Sequence, residues 1–330
     1  MSTKKQISII IPAWNEYKNL IELRPRIEGI VAPLEDKFEF EFVVIDNHSS
    51  DETPGLINEF CKENSKWKYV RFSRNFGVEA SFAKGVEIAN GDALIFLYSD
   101  MQDPPELIPD FIEQWEKGFE VVHGVISRRS DSKILQTIGA VLLHKLLNRL
   151  SSNIIPENAA DFQLLSRPVI RALRMCNEKN RYMRGLVHSL GFKKTSVPFK
   201  RDPRKHGDTT MGIKYRISYA ITSITAFSSA PLLLLSVIGI FLTSLSFVGS
   251  VVYFLSKVLS YYGLEFLPIP PAGWTTLILS LLFFNGISMF FLGVMGRYIS
   301  NIYIEVKDRP ISIVETSIGI SDATSDHSSY

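Results

Sequence analysis

Cysteine is scarce in this 330-residue chain, and neither sign of charge dominates it. The two cysteines, Cys61 and Cys176, cannot build a disulfide framework, which indicates a reducing compartment. Lysine and arginine number 36 against 34 aspartates and glutamates, and this near-neutral balance argues against wholesale nucleic-acid binding. With 12% aromatic residues, the same balance excludes a chain that is disordered throughout.

Charged residues are absent from two long stretches in the C-terminal third. No Asp, Glu, Lys or Arg occurs over the 40 residues Ile217–Ser256 or the 31 residues Phe266–Gly296. Because about 20 apolar residues span a bilayer as a helix, we predict a hairpin of two transmembrane helices, at residues 231–255 and 273–296. Buried helices of a soluble protein are the alternative, which two neighbouring runs of this length disfavour.

Basic residues flank this predicted hairpin on its outer sides. Residues 193–216 hold eight Lys/Arg against two acids, and three basic residues follow the second span, whereas the link between the spans holds only Lys257. The positive-inside rule then places both termini in the cytoplasm. We divide the chain into a catalytic domain (1–210), a juxtamembrane segment (211–230), the hairpin (231–296) and a tail (297–330). The tail after Glu315 is polar and Ser-rich, and is predicted to be disordered.

Short apolar runs alternate with helical patterns through residues 1–210. This alternation is typical of an α/β fold with a mostly parallel sheet, in which ligands bind at the carboxyl ends of the strands. The predicted strands are Ile7–Pro12, Glu41–Asp46, Lys68–Phe72, Ala93–Tyr98 and Glu120–Ile126, and the predicted helices are Tyr17–Val31, Glu52–Glu63, Val78–Ala89 and Pro105–Lys117.

Polar residues follow every predicted strand, and acids follow the second and the fourth. Oxygens converging at one sheet edge suit Mg²⁺ or Mn²⁺, which neutralises phosphates. No glycine-rich phosphate loop is present, so metal and basic side chains must hold the phosphates. Each segment also has an ordinary structural interpretation. Asp46 and Asp51 can be helix caps, Asn15-Glu16 and Asp103-Pro104-Pro105 can be helix starts, and 74–77 can be a turn. Their occurrence at successive strand ends favours a site.

These segments resemble family 2 glycosyltransferases with a GT-A, Rossmann-like fold. The resemblance rests on residues 11–16 (Ile-Pro-Ala-Trp-Asn-Glu), 46–51, 74–77 (Arg-Asn-Phe-Gly) and 100–106 (Asp-Met-Gln-Asp-Pro-Pro-Glu). The Arg-Asn-Phe-Gly and Gln-Asp-Pro-Pro-Glu segments narrow it to polyisoprenyl-phosphate glycosyltransferases. The C-terminal hairpin is similar to that of the bacterial branch of this group, so the resemblance covers nearly the whole chain.

The resemblance implies a role for each matched residue. Asp161 stands beside the acceptor and, with Asp100, forms the catalytic pair, while Asp100 and Gln102 hold the metal. The residues that it implies for nucleotide-sugar binding are Pro12, Asn15, Glu16, Asp46, Asn47, Ser49, Asn75, Lys84, Ser99 and Asp100. The residues that it implies for the acceptor phosphate or the leaving diphosphate are Arg128, Arg129, Arg201 and Arg204.

The implied reaction transfers a hexose, with inversion, from a nucleotide diphosphate sugar to polyprenyl phosphate at the cytoplasmic face of a bacterial inner membrane. UDP-glucose and undecaprenyl phosphate are the substrates that the bacterial branch suggests; other sugars remain open. The lipid bilayer is a partner, with residues 134–150 as an interfacial amphipathic helix, although a core helix is the alternative. The bacterial relatives suggest a homotetramer.

Two positions depart from the family pattern. Asn47 stands where the family usually has a second Asp, and Tyr98 stands where it has the first Asp of its Asp-x-Asp motif. The loss of a carboxylate should weaken metal binding, so a catalytically impaired, nucleotide-binding scaffold is an alternative. A processive polysaccharide synthase is disfavoured because the Gln-x-x-Arg-Trp motif is missing. A transporter is disfavoured because the predicted spans hold no Asp, Glu, Lys, Arg or His to line a pathway.

Overall fold

The structure is a computed structural model that describes residues 4–127, 159–179, 181–201 and 273–320, together with scattered positions between 237 and 262. The chain forms two compact units, Met1–Ala226 with Asp308–Tyr330, and Phe227–Lys307. The predicted amphipathic helix at 134–150 and the juxtamembrane segment at 211–230 lie outside the described residues. The predicted domain boundaries stay predictions.

Strands and helices alternate along the first unit, as the sequence pattern predicts. Each of the five predicted strands and four predicted helices is present. Tyr17–Val31 has the predicted ends, the other ends are shifted by at most three residues, and the last helix begins with a 3-10 turn at Pro105–Leu107. In chain order the elements are β1 (Lys5–Ala13), α1 (Tyr17–Val31), β2 (Phe38–Asp46), α2 (Thr53–Glu63), β3 (Trp67–Phe72), α3 (Val78–Ile88), β4 (Ala93–Phe96), α4 (Ile108–Glu116), β5 (Val121–Ile126), β6 (Ala159–Ser166), α5 (Arg167–Met175), α6 (Met183–Ser189), β7 (Lys194–Phe199), α7 (Trp274–Val306) and β8 (Val314–Ile318).

The first unit contains one eight-stranded sheet, whose strands lie in the order β7-β5-β6-β4-β1-β2-β3-β8. The run β4-β1-β2-β3 is parallel, whereas β6 is antiparallel to both β4 and β5, and β8 is antiparallel to β3. β5 and β7 also pair in parallel. Among the described strands, four pairs are therefore parallel and three are antiparallel, so the sheet as a whole is mixed. In the parallel run, the ends of β1 and β2 pair as Ala13 with Asp46, so their following loops lie side by side.

Three strands, β6, β7 and β8, have no counterpart among the sequence predictions. Basic residues 193–201 are interpreted from the sequence as part of a membrane-flanking stretch, yet Lys194–Phe199 pairs with β5. The predicted disorder after Glu315 is wrong for residues 316–318, because Val314–Ile318 pairs with the edge strand β3. Backbone hydrogen bonding to an open strand edge stabilises this polar segment, which its composition alone does not predict.

The central strands are tightly packed on both faces of the sheet. Ile7, Ile9 and Ile10 of β1 are fully buried, and α1 covers the sheet with Leu20, Leu23 and Ile27. Complete burial of one such side chain contributes about 1.5–3 kcal/mol. On α3, a Cβ at Gly85 would lie 2.5 Å from Cγ2 of Ile10, so only glycine allows this helix to approach β1 so closely.

The second unit contains α7, whose 33 residues cover the predicted span 273–296 except its first residue and continue ten residues beyond it. Among the described residues, α7 is the one helix long and apolar enough to cross a membrane, through Phe283–Val306. The first predicted span, 231–255, lies largely outside the described residues, and its described positions are helical. The two-helix hairpin therefore stays a prediction. The exposed large apolar side chains of α7 include Leu277, Leu281, Phe283, Met289, Phe290 and Leu292.

Candidate active site

The backbone turns sharply where the parallel strands end. Asn15 after β1, His48 after β2 and Met101 after β4 have φ of 57°, 63° and 56°. Left-handed conformations cost energy for residues with a Cβ, and they concentrate at functional sites. Gly77, at the start of α3, has φ of 89° and takes this conformation without that cost. These turns mark the carboxyl edge of the sheet as the candidate site.

Hydrogen bonds connect the loop after β1 to the loop after β2. The Asn15 N–H donates to Ser49 Oγ at 2.9 Å, and the Ser50 N–H donates to Asn15 Oδ1 at 2.8 Å. Asp51 accepts from the Thr53 N–H at 3.1 Å and from the Tyr17 N–H at 3.4 Å. One carboxylate thus receives backbone N–H groups at the starts of both α1 and α2. Asp51 therefore serves the helix starts, as the capping alternative expects, although the N-cap residue of α2 is Glu52.

Asp46, at the end of β2, is fully buried and saturated with hydrogen bonds. Its Oδ1 accepts from the Ser49 N–H at 2.8 Å and from Ser49 Oγ at 2.6 Å. Its Oδ2 accepts from the Tyr69 hydroxyl at 2.9 Å and from Arg71 Nη1 at 2.7 Å. Burial, followed by the charge of Asp46, raises the pKa of Tyr69, so this phenol remains a donor. Asp46 therefore holds the loop that carries Ser49, and its predicted contact with a nucleotide remains a prediction.

The amide of Asn47 joins β2 to α3 and to the Arg-Asn-Phe-Gly turn. Its Nδ2 donates to Ser81 Oγ at 2.5 Å, and its Oδ1 accepts the Phe76 N–H at 3.2 Å. An amide can donate and accept at once, whereas an ionised carboxylate only accepts. Asn47, which stands where the family usually has an Asp, therefore uses both its donor and its acceptor in local hydrogen bonds. Within the same turn, Asn75 Oδ1 accepts the Gly77 N–H at 2.8 Å.

Other predicted donor-site residues are placed around these loops. Ser99 Oγ donates to the Pro12 carbonyl at 3.1 Å and so links β4 to β1. The Glu16 carboxylate accepts from the Asn19 amide within α1. Lys84 lies on α3, where its ammonium group pairs with Glu87 at 2.7 Å. The structure brings Pro12, Asn15, Asn47, Ser49 and Ser99 to one sheet edge.

Three acids, Asp100, Asp103 and Asp161, interact electrostatically at this edge. Asp100 is half-buried, and its Oδ1 accepts the Gln102 N–H at 3.1 Å. Asp103 is fully buried; its Oδ1 accepts from Arg201 Nε at 3.0 Å, while its Oδ2 has no hydrogen-bond partner among the described residues. Burial first, and then the charges of Asp100 and Asp161, raise the pKa of Asp103 to about 6 against the attraction of Arg201.

Asp161, on β6, is held by a bidentate arginine. Nε and Nη2 of Arg184 donate to its two oxygens at 2.8 and 2.6 Å, and the Tyr98 hydroxyl donates to Oδ2 at 3.2 Å. Two parallel hydrogen bonds between a guanidinium and a carboxylate fix the relative orientation of the two groups and also strengthen their attraction. Tyr98, which occupies the position of a family carboxylate, therefore contacts the predicted catalytic acid directly.

The donor atoms of this edge fit an open metal site rather than a closed cage. Within the described part of the chain, no group of three or more His, Cys, Asp or Glu residues is arranged to hold a metal ion. Asp161 is already paired with Arg184, which leaves Asp100 and Gln102 as the predicted ligands. Mg²⁺ is commonly held by one or two carboxylates together with substrate phosphates, so this sparse set suits a cation shared with a diphosphate.

Two buried histidines lie beyond the acidic cluster. The rings of His123 on β5 and His188 on α6 meet edge to face with centroids 4.8 Å apart. Neither ring nitrogen of His188 has a partner among the described residues. Burial, with a smaller contribution from the charge of Lys194, lowers the pKa of His123 to about 4. Burial, followed by His123, Lys194 and Arg184, lowers the pKa of His188 to about 3. Both rings are therefore neutral at neutral pH.

Sequence reasoning identifies the strand ends but misses most partners of the acids. Arg184, Arg71 and Asp103 are not among the predicted site residues, although Asp103 lies within the Gln-Asp-Pro-Pro-Glu segment that carries the resemblance. Arg201 pairs with Asp103, and its predicted role at a phosphate stays a prediction. The remaining predicted phosphate-binding residues, Arg128, Arg129 and Arg204, lie outside the described residues.

Comparison with known proteins gives matches along nearly the whole chain. The prophage bactoprenol glucosyl transferase homolog of Escherichia coli and the bactoprenol glucosyl transferase of Shigella phage SfII are each 33% identical, over 94% of this chain and 98% of their own length. The glycosyltransferase YkcC of Bacillus subtilis is 34% identical over 98% of this chain and 97% of its own length. These relatives confirm the resemblance to polyprenyl-phosphate glycosyltransferases.

A solved structure shows a more distant likeness. Glucosyl-3-phosphoglycerate synthase from Mycobacterium tuberculosis, in complex with Mn²⁺, UDP-glucose and phosphoglyceric acid, aligns with a TM-score of 0.44 and 16% identity over 67% of this chain and 79% of that chain. The family assignment rests on sequence instead. Residues 8–174, just over half of the chain, match the family model Glycosyl transferase family 2. With full-length relatives above 30% identity, this chain belongs to glycosyl transferase family 2.

Proposed function

We propose that this protein transfers glucose from UDP-glucose to undecaprenyl phosphate, with inversion, at the cytoplasmic face of a bacterial inner membrane. The observation that carries the proposal is the acidic cluster of Asp100, Asp103 and Asp161 at the carboxyl edge of the sheet, paired with Arg184 and Arg201. Relatives named bactoprenol glucosyl transferase, which match nearly the whole chain, support a polyprenyl acceptor and glucose as the sugar.

The loops after β1, β2 and β4 form the donor half of the proposed site. Their clasped geometry is set by hydrogen bonds within the protein before any ligand binds, and such preorganisation lowers the cost of binding. Asp46 contributes by fixing Ser49 and Arg71, since both of its oxygens are already engaged. We assign nucleotide contacts to the more accessible Asn15 and Glu16 of the first loop.

A divalent cation, Mg²⁺ or Mn²⁺, would be held by Asp100 and Gln102 together with the donor diphosphate. When bound, it supplies positive charge that stabilises the leaving nucleoside diphosphate. Burial is the main cause of the raised pKa of Asp103, and the charges of Asp100 and Asp161 add to it. These neighbouring carboxylates support a cation at this edge that is held by two protein ligands, even though Tyr98 replaces a carboxylate of the family.

The chemistry of the acceptor limits what Asp161 must do. A phosphate monoester has a second pKa near 6, so most of the acceptor is a dianion at neutral pH and has no proton to lose on attack. One of its oxygens bonds to the anomeric carbon as the bond from that carbon to the diphosphate breaks, and the leaving nucleoside diphosphate keeps the electron pair. We therefore assign Asp161 to positioning Arg184, whose positive charge attracts the incoming phosphate.

The membrane accounts for where this reaction takes place. The acceptor phosphate lies at the level of the lipid headgroups, whereas a nucleotide sugar is soluble. The exposed apolar surface of α7 supports contact with lipid tails. We propose a two-span hairpin with both termini in the cytoplasm, from the charge distribution around residues 217–296, and a homotetramer by family resemblance.

The test uses the purified full chain in detergent with undecaprenyl phosphate, Mg²⁺ or Mn²⁺, and a panel of radiolabelled nucleotide sugars. We expect a labelled glycolipid with UDP-glucose, lost on adding EDTA and restored by excess cation. Asp100→Asn should lose activity, whereas Asp36→Asn, which changes an exposed acid away from the site, should not. No glycolipid with any donor would overturn the proposal. Nucleotide binding without transfer would support the scaffold alternative, which Tyr98 and Asn47 favour.

A further inference from the structure

The C-terminal segment, Asp308–Ile318, makes several contacts with the catalytic unit. The Ser73 N–H donates to the Ile313 carbonyl at 3.0 Å, and Lys179 pairs with Asp308 at 2.7 Å. Between these anchors and the end of the described chain, β8 pairs antiparallel with β3, from Val314 to Ile318. A segment with this many attachments is part of the folded unit, although it follows α7 in the chain.

Glu315 occupies the one irregular position in this pairing. Arg71 lies opposite Thr316 and Phe72 lies opposite Val314, so the register skips Glu315. A bulge of this kind turns the extra residue away from the regular alternation and re-aims its side chain. The Glu315 carboxylate consequently reaches Arg71 Nε at 2.9 Å and lies 3.4 Å from His48 Nδ1.

Arg71 connects β8 to the strand end that carries Asp46. Its guanidinium donates from Nε to Glu315, from Nη1 to the buried Asp46 carboxylate, and from Nη2 to the Ser49 carbonyl at 3.2 Å. The planar fork fixes the relative positions of its three acceptors. His48, whose Nδ1 also lies 3.1 Å from the Phe72 carbonyl, is the left-handed residue between Asp46 and Ser49. Glu315 thus touches this loop through two residues.

We infer that β8 is part of the donor site and that Glu315 is a positioning residue for the nucleoside diphosphate, acting through Arg71 on the loop at 46–51. The inference rests on the proposed function, since it assigns this loop to the donor. The Glu315 side chain is 46% exposed, so its ion pair contributes little to overall stability. Its effect is therefore expected on nucleotide affinity and not on folding.

The test compares Glu315→Ala with Ser317→Ala, an exposed substitution on the same strand that leaves Arg71 untouched. We measure the Kd for UDP and the KM and kcat for UDP-glucose, using the full chain in detergent. Glu315→Ala should raise the Kd and the donor KM by a few-fold and at most about five-fold, the upper limit for an exposed ion pair, with kcat and the acceptor KM within about two-fold. Glu315→Gln, which still accepts from Arg71, should show a smaller rise.

Amide hydrogen exchange provides a second readout that needs no substrate. Exchange over residues 46–51 should accelerate in Glu315→Ala and match the parent protein in Ser317→Ala, because the loop loses an anchor only in the first variant. Equal exchange and equal UDP affinity in the two variants would overturn the inference while leaving the proposed function intact. A parent protein that binds no nucleotide, but whose loop exchange responds to Glu315→Ala, would overturn the proposed function and leave the structural coupling standing.

Discussion

Replacing Asp103 by asparagine should stabilise the protein while impairing the site. The Asp103 carboxylate is fully buried, and one of its oxygens has no partner among the described residues. Its pKa of about 6, against an ordinary 3.8, means that keeping it ionised at pH 7 costs the fold about 3 kcal/mol, at about 1.4 kcal/mol per tenfold change in acidity. Asparagine has similar shape and carries no charge, so it removes this cost.

The stability gained in Asp103→Asn depends on how Arg201 responds to the loss of its charged partner. The raised pKa already includes the attraction of Arg201, whose guanidinium donates to Asp103 from Nε. The Arg201 side chain is 37% exposed and can be hydrated when its partner becomes neutral. The amide oxygen of asparagine can also still accept the hydrogen bond. We therefore expect most of the 3 kcal/mol to appear, as a rise in Tm of roughly 6–12 °C for a domain of this size.

The pH dependence gives the sharper test because its sign is fixed. The folded-state pKa of Asp103 lies above the unfolded value, so the penalty is complete above about pH 6 and vanishes as the pH falls toward 3.8. The parent protein should therefore approach the stability of Asp103→Asn on acidification. Thermal unfolding of the full chain in detergent, by tryptophan fluorescence at pH 7.5 and 4.5, measures both differences.

Asp36→Asn, at an exposed acid, is the control for Asp103→Asn and should leave Tm unchanged at both pH values. If Asp103→Asn has the Tm of the parent at pH 7.5, or a lower one, then Asp103 is not a strained buried charge. We expect slower glycolipid formation in the same variant, because the negative charge that favours a cation at this edge is reduced.

Three further predictions concern the partners of Asp161 and the buried histidines. Arg184→Ala should lower kcat for glycolipid formation by roughly 100-fold with UDP affinity unchanged; an unaltered kcat would contradict the role of Arg184 at the acceptor. Tyr98→Phe removes one hydrogen bond to Asp161 and should lower kcat by only a few-fold; a loss as large as that of Arg184→Ala would assign the hydroxyl a direct catalytic role. His188→Leu should flatten the loss of Tm between pH 7 and pH 5, because the lowered pKa of His188, about 3, makes the folded state lose stability as the pH falls below the ordinary 6.5; parallel Tm curves would contradict this.

Local sequence patterns predict the first five strands, the first four helices and the edge at which the site lies, because apolar periodicity and turn residues are properties of neighbouring positions. The resemblance adds Asp100 and Asp161, but their charge environment depends on residues far apart in the chain. Asp161 meets Tyr98 across 63 positions, and Arg71 meets Glu315 across 244. A single sequence holds no signal for such pairs. β8 illustrates the same limit, since its Ser- and Thr-containing sequence is a strand only because β3 presents an open edge.

The position of β8 after α7 has a consequence for biosynthesis. The ribosome completes β1 to β7 first, then the proposed membrane hairpin, and only then Val314–Ile318. Until that strand emerges, Arg71 lacks the Glu315 contact and the edge of β3 is open. A nascent chain would therefore hold an unfinished donor site throughout membrane insertion, and would begin to bind nucleotide tightly only after both α7 and the strand that follows it had left the ribosome.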